Sequence, residues 1–148
     1  MNLNNSANSS VGRSCPVEVR VGRQAIRASA VTQKLFCFWL PPGVCELRIV
    51  SGAAVPAEVD PASEDRRRLG AKIGAIFLGG EFIPLNSPVL ADGFHPIERR
   101  GAERWRWTDG AARLILPRAL ARPVILELLV RDLFAGQAAQ RADLIRAA

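Results

Sequence analysis

Hydrophobic and polar residues alternate along most of this chain, which is the pattern of half-buried β-strands. Residues 17–21 and 45–49 both carry apolar side chains at every second position. An apolar run at 34–40 ends at the turn signal Pro41-Pro42-Gly43. A second apolar run, at 124–130, is interrupted only by Glu127 and is typical of a central strand in a sandwich. The pattern therefore predicts a protein made largely of strands.

A two-residue turn at Gly79-Gly80 predicts the first hairpin. Apolar runs at 73–78 and 81–85 flank the two glycines, and a loop of this length favours a primed turn that fixes the register of both strands. That register sets Phe77 opposite Phe82, an aromatic cross-strand pair.

A second hairpin is predicted at Asp109-Gly110, because Asp-Gly between two alternating runs is among the strongest short-range hairpin signals. The register of this hairpin sets Arg106 opposite Arg113, with Arg104 next along the strand. The sequence therefore predicts that three arginines share one face of one hairpin.

Together these signals predict an all-β fold, an antiparallel β-sandwich of jelly-roll type, although a partly open barrel would give the same pattern. The domain is expected to span residues 15–131. Residues 1–14 are rich in Asn and Ser and are predicted to form a disordered leader. From 132 to 148 the spacing of apolar residues favours a short amphipathic helix, weakened by Gly136.

Charge adds a preference for acidic partners. The 148 residues include 20 basic and 14 acidic side chains, a net charge of +6, and all the basic residues except Lys34 and Lys72 are arginine. Arginine suits planar, bidentate recognition of a carboxylate or phosphate. A GC-rich genome would produce the same arginine bias without any function, so both explanations stay open.

Cysteine usage and hydropathy bear on the compartment. Cys15, Cys37 and Cys45 are odd in number and lack a paired short spacing, so they are expected to be reduced, with a Cys37–Cys45 bridge across a hairpin as the alternative. The sequence offers no signal peptide and no apolar stretch of the roughly 20 residues that a membrane helix needs. A cytoplasmic location is therefore the default expectation.

Catalytic and metal-dependent chemistry finds little support in the residue types. His95 is the only histidine. The chain therefore offers too few ligands for a zinc site, and a Ser-His-Asp or Cys-His arrangement could use only His95 as its base. A glycosidase pair could use Glu98 and Asp109, but Asp109 is explained by its turn and Glu98 adjoins Arg99 and Arg100. The chain is predicted not to be an enzyme and to need no cofactor or metal ion.

The candidate binding residues are Arg104, Arg106, Arg113, His95, Glu98 and Arg68. Like charges that oppose each other across a hairpin are destabilising, so the predicted arginine face needs a counter-charge. Glu127 and Glu103 could supply it within the chain, or an acidic partner could supply it from outside. His95 and Glu98 lie in a predicted loop, 93–98, that begins with a glycine. Arg68 ends a run of three arginines beside acidic residues.

The two tryptophans beside these arginines admit two interpretations. Trp105 and Trp107 lie on one face of their strand, and in a sandwich that face is normally the inner one. They are therefore predicted to belong to the core rather than to form a ligand platform.

An ordered set of short motifs carries a family resemblance over roughly residues 35 to 130. In order they are 47–51 (LRIVS), 55–60 (VPAEVD), 65–70 (DRRRLG), 93–95 (GFH) and 105–110 (WRWTDG). The set resembles an accessory module of bacterial multidomain proteins, found beside Hint (hedgehog/intein-type) domains or glycosyltransferases. The resemblance implies a β-sandwich accessory domain. It does not imply autoprocessing, since the chain has a single histidine and ends in Arg-Ala-Ala.

These observations favour a non-catalytic binding or accessory module, with an acidic surface polysaccharide as the expected ligand. The alternative is a structural or protein-interaction domain that docks a protein partner through edge strands or the C-terminal segment. A nucleic-acid partner fits the net charge but no recognised motif, and no membrane span is expected.

Overall fold

A computed structural model describes residues 15–135 of the chain. The predicted leader, 1–14, and most of the predicted helical segment, 136–148, lie outside the described residues. One short helix, α1 (Pro56–Val59), lies in the loop after the fifth strand. The strands are β1 (Val17–Val21), β2 (Gln24–Ile26), β3 (Ala30–Thr32), β4 (Leu35–Leu40), β5 (Glu46–Ser51), β6 (Ala71–Leu78), β7 (Glu81–Ile83), β8 (Glu98–Arg100), β9 (Glu103–Trp107), β10 (Ala111–Ile115) and β11 (Val124–Leu133).

The strands form two sheets in which the paired strands are antiparallel. A four-stranded sheet has the order β10-β5-β1-β2. A seven-stranded sheet has the order β3-β4-β11-β6-β9-β8, with β7 also paired to β6. The prediction of an antiparallel all-β fold is confirmed.

One hydrophobic cluster contains buried side chains from both sheets. Alternation decides which side chains enter it: in β4, Phe36, Phe38 and Leu40 are buried, whereas Trp39 between them is exposed. The four-stranded sheet contributes Val19, Ile49 and Leu114, and the seven-stranded sheet contributes Phe38, Ile73 and Leu128.

The first predicted hairpin is confirmed, with its register. Phe77 lies opposite Phe82 across β6 and β7, and their ring centroids are 5.7 Å apart. Gly79 and Gly80 both adopt positive φ, at 59° and 80°, which is the requirement of a type I′ turn that glycine meets without strain.

The second predicted hairpin is wrong. β9 pairs with β6 and β8, whereas β10 pairs with β5 in the other sheet. Asp109-Gly110 does turn the chain, but the turn carries it from one sheet to the other. Consequently Arg106 lies opposite Ile73 and Arg113 lies opposite Arg48.

Thr108 anchors this passage between the sheets. Its side chain is fully buried, and its hydroxyl oxygen accepts hydrogen bonds from the backbone N–H groups of Ala71 at 3.0 Å and Gly110 at 3.3 Å. The backbone also closes tightly here, because a Cβ built on Gly70 would lie 2.6 Å from the Gly110 nitrogen. The absence of a side chain at Gly70 therefore permits the two segments to meet.

The predicted boundary of the C-terminal segment is also corrected. β11 extends to Leu133, so Asp132 and Leu133 belong to a strand that pairs with β6. The alternative disulfide is wrong as well: Cys37 and Cys45 lie on or beside strands of different sheets, and all three cysteines are free. Within residues 15–135, no helix has the length and apolarity that a membrane span requires.

Candidate functional site

The predicted arginine face is dispersed over two sheets. Arg104 and Arg106 belong to β9 of the seven-stranded sheet, and Arg113 belongs to β10 of the four-stranded sheet. Each of the three arginines consequently has its own surroundings, and Arg104 lines an open cleft.

Arg113 is neutralised inside the chain. Its Nη1 lies 3.0 Å from Glu46 Oε1, and its Nε donates to the Asp92 carboxylate. The hydrogen bonds that Arg113 donates, first to Glu46 and then to Asp92, raise the pKa of Arg113, and the same contact lowers the pKa of Asp92. Asp92 also lies 3.5 Å from Arg48 Nη1. The counter-charges are thus Glu46 and Asp92, and the predicted donors Glu127 and Glu103 do not contact Arg113.

Arg106 braces a loop. Its guanidinium donates to the carbonyl oxygens of His95 at 2.7 Å, Leu85 at 2.9 Å and Phe94 at 3.4 Å, and it lies 5.4 Å from the Phe94 ring centroid. Partial burial lowers the pKa of Arg106. Because these acceptors take three of the five N–H donors of the guanidinium, Arg106 holds the segment 85–95 against the sheet.

His95 and Arg68 also meet in a structural contact. The His95 Nε2–H donates to the Arg68 carbonyl oxygen at 2.7 Å, and the His95 backbone N–H donates to the Trp107 carbonyl oxygen. The Arg68 side chain itself is exposed. The imidazole therefore joins two loops.

Glu98 is held by a residue that the sequence did not single out. Arg67 lies between two carboxylates, with Nη2 at 2.8 Å from Asp65 Oδ2 and 3.4 Å from Glu98 Oε1. Glu98 also accepts a hydrogen bond from the Trp105 Nε1–H at 3.3 Å. These contacts raise the pKa of Arg67, chiefly through Asp65, and lower the pKa of Asp65.

The core prediction for the two tryptophans is wrong. Trp105 and Trp107 are half-buried and lie outside the core cluster. Lys72 Nζ lies 4.0 Å above the Trp105 ring, and Trp107 packs edge-on against Phe134. The physical reason is the pairing of β9: Arg106 lies opposite the buried Ile73, so the tryptophans on either side of it project from the opposite face of the sheet.

A cleft of about 330 Å³ opens between β7 and the β8–β9 pair. Of the six residues predicted to bind a ligand, only Arg104 lines it. Two arginines that the sequence did not single out, Arg99 and Arg131, line it too, together with Phe82, Asn86 and Glu103. We refer to the site formed by Arg99, Arg104 and Arg131 as the arginine cleft.

Arg99 and Arg104 oppose each other directly across the β8–β9 pair. Both are exposed, and neither pairs with a carboxylate within 4 Å in the described part of the chain. Two like charges at directly opposed positions destabilise a strand pair. An anion placed between the two guanidiniums would relieve this repulsion.

Arg131 reaches the cleft because position 74 has no side chain. Arg131 belongs to β11, and β6 lies between β11 and the cleft. A Cβ built on Gly74 would collide with the Arg131 Nε and approach its Cδ at 3.0 Å. Arg131 Nε lies 3.3 Å from Glu103 Oε1, yet this buried nitrogen has no hydrogen-bond partner. The cleft thus gathers three cations around one carboxylate.

The sequence carries a partial signal for this site. Arg99 lies opposite Arg104 because residues 98–100 form a strand, whereas the sequence predicts only a loop at 93–98 that leads into a strand. Arg131 is distant in the chain and depends on Gly74. Across residues 15–135, no three His, Cys, Asp or Glu side chains form a group that could hold a metal ion.

Comparisons of the chain with protein families, with curated proteins and with solved structures found no match. The resemblance to modules beside Hint domains and glycosyltransferases accordingly stays an expectation from the sequence.

Proposed function

We propose that this chain is a non-catalytic binding module whose arginine cleft recognises an acidic surface glycan. The observation that carries the proposal is the Arg99–Arg104 pair, two opposed guanidiniums without a carboxylate partner in the described chain. Guanidinium groups bind carboxylates through two parallel hydrogen bonds. A uronic acid presents such a carboxylate on a sugar ring.

The other cleft residues fit a sugar rather than a bare anion. Phe82 is 58% exposed at the edge of the cleft, so one face of its ring is available to the apolar face of a pyranose. Asn86 offers an amide that both donates and accepts hydrogen bonds, as sugar hydroxyls require. A volume of about 330 Å³ is at the lower end for small-molecule sites, which favours one sugar unit of a longer chain that continues into solvent.

The same proposal includes the architecture. We infer that the two sheets face each other as a β-sandwich of jelly-roll type. The shared hydrophobic cluster with side chains from both sheets supports this arrangement. In such a frame the cleft lies at a sheet edge that rigid strands position, which favours recognition with little rearrangement.

The test is a titration of the full chain with a defined oligouronate. Binding is measured by isothermal calorimetry and by tryptophan fluorescence, to which Trp105 beside Arg104 contributes. Arg99→Ala and Arg104→Ala should each weaken binding by about 10- to 100-fold, because a charge-assisted hydrogen bond is worth about 1.5–3 kcal/mol. Arg113→Ala is the matched control, since its guanidinium is already neutralised by Glu46 and Asp92, and it should bind as the wild type does.

Salt and ligand controls separate recognition from general charge attraction. Binding should weaken as salt rises, since the cleft is open to solvent, and a neutral oligosaccharide of equal length should not bind. Equal affinity for duplex DNA would reduce the effect to the net charge of the chain. Unchanged affinity in a folded Arg99→Ala/Arg104→Ala double variant would overturn the proposal.

A further inference from the structure

A second surface of the molecule is apolar and lies on the side of the seven-stranded sheet that faces away from the core. We call it the outer face and define it by Cys37, Trp39, Phe77, Phe82, Ile125 and Leu129 around Glu127. Their neighbours Phe38, Ile76, Leu126 and Leu128 alternate with them and enter the core. Trp39 is 54% exposed and Phe82 is 58% exposed.

The central strands of this sheet are apolar on both of their faces. β4 (Leu35–Leu40) has the sequence LFCFWL, and β11 contains VILELLV. An antiparallel sheet with one face in water shows polar residues at alternate positions, whereas strands covered on both sides are apolar throughout. The composition of β4 and β11 is therefore that of strands with a cover on the outer face.

Glu127 is the one charged residue in the middle of this surface. In register it lies between Cys37 on β4 and Phe77 on β6. It is half-buried and forms no ion pair in the described part of the chain. A carboxylate that becomes covered by an apolar surface needs a cation or hydrogen-bond donors at its oxygens. Whatever covers the outer face must therefore bring a positive charge to this point.

We propose that the outer face docks an amphipathic helix of a partner protein, with a Lys or Arg in the middle of its apolar stripe. Ile125, Glu127 and Leu129 project from alternate positions of β11, which spaces them by about 6.6 Å. Side chains four residues apart on a helix are spaced by about 6.0 Å. A helix along β11 thus sets apolar, basic and apolar side chains over Ile125, Glu127 and Leu129, while Trp39 and Phe82 flank it.

The outer face shares Phe82 with the arginine cleft, but the proposal rests on Glu127 and its apolar neighbours, and its test uses two synthetic peptides. Each is an alanine-rich helix of about 20 residues, long enough to be helical in water. One carries leucine, arginine and leucine at four-residue intervals, and its twin carries glutamate in place of the arginine. Binding to the full chain is measured by calorimetry at physiological salt, with Arg113→Ala on the other sheet as the control variant that should leave both affinities unchanged.

We expect the preference between the two peptides to depend on the charge of the side chain at position 127. The wild type should bind the arginine peptide at least 10-fold more tightly than the glutamate peptide, and Glu127→Arg should reverse the preference. Glu127→Gln keeps the size of the side chain and should abolish the preference, which keeps the test valid if Glu127→Arg does not fold. Trp39→Ser should weaken binding of both peptides.

Three results would overturn the proposal. The first is equal affinity of the wild type for both peptides, and the second is a preference that survives Glu127→Gln. The third is a stable dimer of the wild type that Glu127→Arg dissociates in sedimentation, because a second copy of the chain would then be the occupant of the outer face.

Discussion

Thr108→Val is the substitution that tests the passage between the two sheets. Valine has nearly the shape of threonine, so the change removes the hydroxyl and leaves the packing in place. In the structure the Thr108 hydroxyl accepts hydrogen bonds from the N–H groups of Ala71 and Gly110 in a fully buried position. The bond to Gly110 is local to the turn, whereas the bond to Ala71 joins residues that are distant in the chain, so it depends on the passage between the sheets.

The magnitude follows from the two donors that lose their acceptor. A buried donor left unsatisfied costs about 1–3 kcal/mol, so with two such donors the free energy of unfolding should fall by about 2–6 kcal/mol. A domain of this size has a total stability of about 5–15 kcal/mol and loses about 2–4 °C in Tm per kcal/mol. The melting temperature should therefore fall by about 4–24 °C.

Urea unfolding monitored by tryptophan fluorescence measures this difference. Thr108→Ser is the matched control, because it keeps the hydroxyl and removes one methyl group, at a cost of about 1 kcal/mol. Thr108→Val should be the less stable of the two. Equal stability of the two variants would refute the reasoning, since the hydroxyl would then not be needed at the crossing.

Three further predictions concern single side chains. Arg67→Met should lower the free energy of unfolding by about 1 kcal/mol through loss of its contacts with two carboxylates, whereas Arg66→Met, without an ion pair in the described chain, should change it little. Arg67 lowers the pKa of Asp65 in the folded state, so this stabilisation is complete above the unfolded pKa of about 4 and is lost as the pH falls below it. The difference in unfolding free energy between wild type and Asp65→Asn should therefore narrow in acid titrations below about pH 4. Gly74→Ala should displace Arg131 from the cleft and weaken oligouronate binding by up to about 10-fold in calorimetry, the loss expected for one partly exposed cation. The circular dichroism spectrum should be retained, and wild-type affinity in this variant would mean that Arg131 takes no part in binding.

Local signals predicted the parts of the fold that depend on neighbouring residues. The Gly79-Gly80 turn and the Phe77–Phe82 pair were correct because a two-residue loop determines its own register. The strand at 124–130 was also recognised, since a long apolar run with one charge has few other interpretations.

Such local signals could not predict that the chain crosses from one sheet to the other at Asp109-Gly110. The dipeptide turns the chain in either arrangement, and the choice of partner strand depends on β5 and β6, which are distant in sequence. The buried Thr108 and the close approach of Gly70 to Gly110 favour the passage between sheets, and neither is visible without the fold.

The candidate site was predicted only in part, because its residues are brought together by strand pairings that are distant in sequence. Arg104 was correctly singled out as an arginine that needs a counter-charge, but its neighbour is Arg99 rather than Arg106 or Arg113. The predicted hairpin brought together arginines that the fold separates. The third cation, Arg131, depends on the missing side chain of Gly74, which no pattern of hydrophobic and polar positions encodes.

The most direct test of the central claim is to map the bound ligand by NMR. Amide and Arg Nε–Hε chemical shifts of the isotopically labelled chain are followed during titration with an oligouronate. The largest shifts should arise at Phe82, Arg99, Arg104 and Arg131, with little change at Arg113. Largest shifts at Arg113 and its strand neighbour Arg48 would contradict the account, because the ligand would then bind the neutralised arginines of the four-stranded sheet.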